Sequence, residues 1–248
     1  MTVKTAHRTL DVVELFASER RPLNLSDMAA RLSMPPSSTH ALINTLLERG
    51  YLYETGKRQG YYPTRKLKTL SDAIAAAAPL LGQVGARLDA LCAVTGETVL
   101  LAKRQGDAVA YLEVRESAQS VRFSPLIGEL KSLHSTASGK ALLGALPRAE
   151  FEALLKRLKL ERRTENTITD AQKLAADIAK GRRRGWYHIV GENIADLMSI
   201  SAPVDIDGET YVITVGGPTP RFKPLMARHA EHLLACCATL MEINKAGA

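Results

Sequence analysis

The chain has 248 residues, 46% of them hydrophobic and 24% charged, with a formal net charge of +7. That length suggests two domains with real cores, and no apolar run approaches the roughly 20 residues that a membrane-spanning helix needs. The charge is uneven: residues 1–70 hold 11 Lys/Arg against 6 Asp/Glu, whereas residues 71–248 hold 22 against 20. A basic head on a nearly neutral body is what attraction to phosphate selects. The N-terminal MTVKTAHRTLDVVELF carries Asp11 and Glu14 inside its apolar part, which argues against a signal peptide. Cys92, Cys236 and Cys237 form no disulfide framework and fit a reducing cytoplasm.

The first predicted helix covers residues 4–18, with Ala6, Thr9, Leu10, Val13, Phe16 and Ala17 on one face. Arg20-Arg21-Pro22 ends it. Leu23-Asn24-Leu25 reads as a short strand, and Ser26 as the N-cap of a second helix through Leu32. After the turn Ser33-Met34-Pro35-Pro36, a third helix opens with Pro36 in its first turn, where the missing N–H costs nothing. It runs to Arg49, and Gly50 supplies the stop. Thr39, Leu42, Ile43, Leu46 and Leu47 form its buried side. Ser37, Ala41, Asn44 and Glu48 share the opposite face, flanked by Ser38 and His40.

Two strand-like segments follow, Tyr51–Glu54 and Tyr61–Pro63, joined across Gly56 and Gly60 with Lys57 and Arg58 at the tip. Helix, turn, helix and basic hairpin in this order are the sequence form of a winged helix-turn-helix over residues 1–64, which sets one helix into the DNA major groove. Short polar side chains at the start of that helix approach phosphates and base edges closely. The expected DNA-contacting set is Ser37, Ser38, Thr39, His40 and Asn44, with Lys57 and Arg58 as a second backbone anchor. The competing reading of the same face is plain solvent exposure.

Residues 65–78, RKLKTLSDAIAAAA, predict a linker helix that also suits protomer pairing. From Pro79 the pattern is helix, strands, helices, strands, helix, an α+β order with an antiparallel sheet. A helix ends near Gly96, and a hairpin spans 98–104 and 108–115. A short strand is expected at 121–123 and helices at 135–146 and 149–160. A helix capped by Thr169 or Asp170 ends near Gly181. Strands follow at 186–190, 198–204 and 210–216, then a last helix over 224–245.

Asp207-Gly208 is a two-residue hairpin turn. Its register sets Ser201 opposite Thr214 and Ser199 opposite Gly216, all on one face. Met198, Ile200, Ala202, Val204, Tyr211, Ile213 and Val215 take the other. A face of small uncharged hydroxyls points to a covered cavity holding a ligand; the alternative is a sheet face packed beneath a loop.

Several blocks, in order, make the chain resemble the IclR family of bacterial transcription regulators along almost its whole length. They are the head itself, LHSTASGKALL at 133–143, the stretch from Gly185 through Glu192 to Ser199-Ile200-Ser201-Ala202-Pro203-Val204, and Gly217-Pro218-x-x-Arg221. The resemblance implies a homodimer or dimer of dimers on a roughly palindromic operator. It also implies a GAF-like C-terminal domain over 79–248 that holds a small organic acid or aromatic metabolite, with no cofactor or metal. Carried over by position, the effector site comprises Ala137, Ser138, Ile189, Ser199, Thr214 and Gly216; the hairpin register adds Ser201, and His134 of the 133–143 block completes the expected set. Ile189 and Ser199 stand where many members have Asp and Cys, which favours a more apolar or aromatic effector. Ala41 replaces a common Arg in the third helix and removes a bidentate guanine contact.

Other chemistry fits less well. Ser138-Gly139-Lys140 lacks the first glycine and the final hydroxyl of a phosphate loop. His229, His232 and Cys236 have helical spacing for a metal, but read better as ordinary helix residues. Arg182-Arg183-Arg184 suits either nucleic acid or a helix C-terminus, the latter favoured by the dipole. Ser135, His134 and Asp196 are available to a hydrolase, yet no nucleophile elbow surrounds them. A hydrolase fused to a DNA-binding head and a ligand-independent architectural protein remain the alternatives to a cytoplasmic, non-enzymatic regulator.

Overall fold

The computed structural model describes residues 3–56, 60–76 and 79–247. They divide into two compact units, Met1–Pro79 and Leu80–Ala248.

In the first unit, helix α1 (Lys4–Glu19) packs by Val12 and Phe16 on a core of Leu23, Met28, Ile43, Leu46 and Leu52. The buried face is therefore rotated from the expected one: Ala6, Leu10 and Ala17 are exposed. Both stripes have helical spacing, and the shape of the core beneath chooses between them. Helix α2 (Leu25–Arg31) is capped by Asn24, whose side chain accepts the Asp27 N–H at 2.8 Å; Ser26 lies inside the first turn and is not the cap. Ser33 takes a left-handed φ of 49° in the turn. Helix α3 (Pro36–Glu48) then starts with Pro36 as expected. Strands β1 (Leu52–Glu54) and β2 (Tyr61–Pro63) pair antiparallel, Tyr53 opposite Tyr62. Tyr61 also bridges Leu23, the residue of the expected short strand. At Gly60 (φ +115°) a Cβ would meet the Leu23 carbonyl carbon at 2.7 Å, so only glycine lets the wing cross there. Helix α4 (Lys66–Ala76) follows.

The second unit is an antiparallel sheet in the order β5-β4-β3-β8-β7-β6. Its strands are β3 (Thr98–Gln105), β4 (Ala108–Arg115), β5 (Leu130–Ser132), β6 (Tyr187–Val190), β7 (Leu197–Ile206) and β8 (Glu209–Pro218). One face, including Met198, Ile200, Ile213 and Val215, buries against helix α5 (Pro79–Thr95) and helix α10 (Met226–Gly247) through Leu88, Leu91, Leu233 and Leu240. The other carries helices α6 (Ala137–Ala145), α7 (Arg148–Arg157) and α8 (Ala171–Arg184) over Leu100, Ala102, Val212 and Tyr187. Between β8 and α10 lies the short helix α9 (Thr219–Phe222).

Two expectations fail for packing reasons. Residues 121–123 form no strand; Leu130–Ser132 takes the sheet edge, and 116–129 becomes a loop whose carbonyls bond side chains. Helix α8 does not end at Gly181 but at Gly185, left-handed with φ 83°. Gly181 is needed inside the helix because a Cβ there would lie 2.2 Å from Tyr187 Cδ1; Gly144 of α6 meets the phenol end of the same ring.

Candidate functional site

The polar face of α3 lies where the spacing put it. Ser37, His40 and Ala41 are exposed, and Ser38 and Asn44 half-buried. Pro35 offers no capping side chain, so the first-turn N–H groups of α3 are free to meet an anion. The Asn44 amide nitrogen lies 3.4 Å from His40 Nδ1, one turn back. Thr39 is a correction: it is fully buried, and its hydroxyl donates to the Pro35 carbonyl at 3.0 Å, so it fastens the helix start and offers nothing to DNA. Lys57 and Arg58 lie outside the described residues.

The sheet register is as expected, Ser201 opposite Thr214 and Ser199 opposite Gly216. Two rows run across the face beneath α6. The inner row is Tyr187, Ser201, Thr214 and Leu100; the outer is Ile189, Ser199, Gly216 and Thr98. Ser201 and Thr214 stand at the centre of the inner row, whereas the outer row has Ser199 beside Gly216 and a second hydroxyl, Thr98, at its end. Ser138, at the start of α6, brings its hydroxyl within 2.8 Å of Thr214 Oγ1, which bonds Ser201 in turn. Tyr111 of β4 adds its phenol at Ser138, and burial pushes that phenol up from its ordinary value. Part of the small polar face is thus spent on itself. Such a chain is worth keeping in a core only when each member is satisfied.

Thr136 caps α6, accepting the Gly139 N–H at 3.0 Å, two residues later than the expected start. Residues Ala137 through Leu143 are all buried, Lys140 among them. The Lys140 ammonium reaches Glu192 at 2.6 Å and Asp177 at 2.8 Å. The pair joins α6 to α8 and to the loop after β6. Burial raises the Glu192 carboxyl above its usual range, against the pull of Lys140. A lysine in an unbroken run of small and apolar residues was the signal that acids must surround it.

His134 is not gathered with the hydroxyl rows in hydrogen bonding. Its Nε2 meets the Glu161 carbonyl at 2.9 Å, and burial lowers its basicity. Ser135 bonds towards Ser132 and Asn193. The hydrolase candidates therefore have their hydrogen bonds elsewhere.

At the outer row the loop 116–129 closes in. Thr98 Oγ1 donates to the Phe123 carbonyl at 2.5 Å, and Arg221 donates to the Val121 carbonyl at 3.1 Å. Arg221 also grips Glu97 through both carboxylate oxygens, at 2.7 and 2.8 Å. A Cβ on Gly217 would lie 2.2 Å from Glu97 Oε2, which explains the glycine of that block. Beyond Phe123 opens a cleft of about 440 Å³ between Pro125, Lys131, Ile194, Leu197 and Pro218, a volume suited to a small metabolite. Tyr111, Phe123 and Thr98 escaped the sequence reading, because only the fold brings β4, the loop and β3 to this corner.

Elsewhere, Arg182 donates to the Gly144 and Leu146 carbonyls at 2.8 and 3.0 Å, satisfying the C-terminus of α6 and not a nucleic acid. Arg184 stacks on Trp186 at 3.7 Å. The His229 ring is buried against Phe222, 4.7 Å between centroids. Among the described residues, no cluster of three or more His, Cys, Asp or Glu is placed to hold a metal ion, and no helix is long and apolar enough to cross a membrane.

A winged helix-turn-helix followed by a separate α+β domain is the build of a bacterial transcription regulator. The comparisons agree. The IclR helix-turn-helix domain matches residues 5–56, and the family described as bacterial transcriptional regulator IclR C-terminal matches residues 73–241. The chain belongs to the IclR family, and is a DNA-binding transcriptional regulator. The HTH-type transcriptional regulator BhcR of Paracoccus denitrificans is 32% identical over 88% of this chain and 79% of its own. KdgR of Dickeya chrysanthemi is 28% identical over 82% and 68%. Among solved structures, the IclR of Thermotoga maritima superposes with a TM-score of 0.82 at 23% identity, over 96% of this chain and 98% of that one. An IclR homologue from Microbacterium hydrocarbonoxydans complexed with 4-hydroxybenzoate gives 0.76 at 22%, over 98% and 99%.

Proposed function

We propose that this regulator is a cytoplasmic, non-enzymatic switch whose affinity for a roughly palindromic operator responds to a small organic acid or aromatic metabolite in the C-terminal domain. The observation that carries it is the sheet face where Ser138 of α6 bonds Thr214 and Gly216 lies beside Ser199 and Phe123, with Phe123 also lining a 440 Å³ cleft. Ala137, Ser138, Ile189, Ser199, Ser201, Thr214 and Gly216 form or back the floor of the site. His134 serves from behind, steadying the segment before α6. On the DNA side, Ser37, Ser38, His40 and Asn44 read or grip the duplex from α3, and Lys57 and Arg58 add backbone contacts. Protomers pair in a dimer or dimer of dimers. In support of pairing, α4 exposes Leu70 and Ile74 at helical spacing with half-buried Leu67, a stripe suited to a second helix.

A melting-temperature screen with acetate, pyruvate, benzoate and 4-hydroxybenzoate tests the effector reading. A ligand bound to the folded state raises the transition with concentration. Ser199→Leu fills the floor and removes the rise seen in the parent chain. A panel in which no acid shifts the parent counts against the reading, and equal shifts in both chains remove Ser199 from the site.

A further inference from the structure

We infer that Thr64 and Lys66 are positioning residues for DNA reading: they weld the end of α3 to the start of α4, so that the linker helix sets the direction in which α3 enters the groove. The last carbonyls of a helix have no partner within it. At the end of α3, Gly50 turns left-handed (φ 71°). Its N–H returns to the Leu47 carbonyl at 2.9 Å, and the Tyr51 N–H to the Leu46 carbonyl at 2.8 Å. The carbonyls of Arg49 and Gly50 are taken from outside the helix. The Thr64 hydroxyl donates to Gly50 at 2.7 Å, and the Lys66 ammonium donates to Arg49 at 2.7 Å. The same Thr64 oxygen accepts the Lys66 N–H at 3.2 Å, in the first turn of α4. One oxygen therefore closes α3 and opens α4. The Thr64 N–H adds a bond to the Tyr51 carbonyl at 2.9 Å.

The wing lies between the joined ends in sequence, and its pairing of Leu52 with Pro63 brings them together. The Lys66 charge serves the join twice. It stands at the negative end of α3, and its ammonium lies 4.7 Å from the centre of the Tyr51 ring. No apolar packing duplicates the join: among the described residues, no side chain of α4 belongs to the apolar core of the first unit. Hydrogen bonds weaken steeply as they bend, so those at its start fix the direction of α4 against α3. With 11 residues α4 is about 16 Å long, at about 1.5 Å per residue. A tilt of that lever is passed to α3 as a turn of its reading face. Two protomers joined through α4 hold their α3 helices at one separation, and so read half-sites at one spacing. The spacing rests on the pairing of protomers proposed above; the join itself does not.

Two measurements on the full chain test it. In the first, nitroxides are placed at the exposed positions Ala41 of α3 and Ser71 of α4 through an unnatural amino acid, which leaves the native cysteines untouched. The labelled chain is diluted in unlabelled chain, and electron–electron double resonance reads the spread of the α3–α4 distance. The double variant Thr64→Val with Lys66→Met should broaden that spread at least twofold. The conservative variant Thr64→Ser with Lys66→Arg, which keeps every donor, should retain the parent width. In the second, a duplex selected by the parent chain from a random library is bound again with one base pair added between its half-sites. The insertion turns one half-site against the other by about 35°. It should cost the parent at least tenfold in affinity, the conservative variant as much, and the double variant no more than a third of the parent's factor. The lost Lys66 charge weakens every duplex alike and cancels in that ratio. Broadening below twofold overturns the proposal, as does a penalty in the double variant that does not fall to a third. Should the double variant not fold, Thr64→Val alone is read by the same criteria. A selection that returns one unrepeated site sinks the pairing reading, and the distance spread then decides the join.

Discussion

The two polar faces of this protein are built from the same residue types and have opposite fates. On α3, Ser37 and His40 stand exposed with a free helix N-terminus beside them. Under α6, Ser138, Ser201 and Thr214 are fully buried and bonded to one another. A hydroxyl in water keeps its donor available at little cost, while one in a core must find a partner or forfeit about 1–3 kcal/mol. The first face is therefore one that can meet any new partner, and the second is a scaffold with a small unspent margin at Ser199 and Gly216. Substitutions on the α3 face should act on binding, and those beneath α6 on stability.

The largest effect expected is at Lys140. Lys140→Met leaves Glu192 buried without its cation and should cost about 3–5 kcal/mol of unfolding free energy in urea titration. Without Lys140 the Glu192 carboxyl rises further above its unfolded value. Below the unfolded value it is neutral in both states and costs nothing; above it, burial penalises ionisation. The loss should therefore grow as pH rises through the carboxylate range, and Lys140→Met with Glu192→Gln should recover much of it. A flat loss from pH 4 to pH 8 would break the assignment.

Next is Gly139→Ala, whose Cβ would sit 2.2 Å from the Leu133 carbonyl oxygen. Backbone does not yield as a side-chain tip does, so about 3 kcal/mol should be lost. Melting with an unchanged midpoint would show that α6 can slide.

Asn44→Ala and Thr39→Val sharpen the comparison within one helix. Asn44→Ala should weaken operator binding by about 1–3 kcal/mol and relax preference at one base pair, with stability unchanged. Binding curves on an operator set and its single-base variants check this. Thr39→Val should do the reverse, losing about 1 kcal/mol of stability with the Pro35 bond while operator affinity moves less than twofold. If Thr39→Val alters base preference, the buried hydroxyl has been misjudged.

Much of this architecture was legible because it rests on local rules. Pro36 opens α3, Gly50 follows its end, and Asp207-Gly208 sets the β7–β8 register, each through backbone conformations that few residues tolerate. What failed were choices between near-equal local options. Asn24 and Ser26 are both capping residues two apart, and Val12 and Leu10 both lie on apolar stripes of α1. Gly181 looks like a stop until the Tyr187 ring is seen against it.

By itself the sequence determined the helix-turn-helix, the antiparallel β7–β8 hairpin, and which residues share each face of that hairpin, since these follow from periodicity and turn chemistry within a few residues. Only the tertiary structure decided which hydroxyls are spent, that Lys140 finds Glu192 and Asp177, and that Phe123 lies on Gly216. The Lys140 and Phe123 contacts join segments 37 to more than 90 residues apart, where no local pattern constrains distance and packing alone chooses the neighbour.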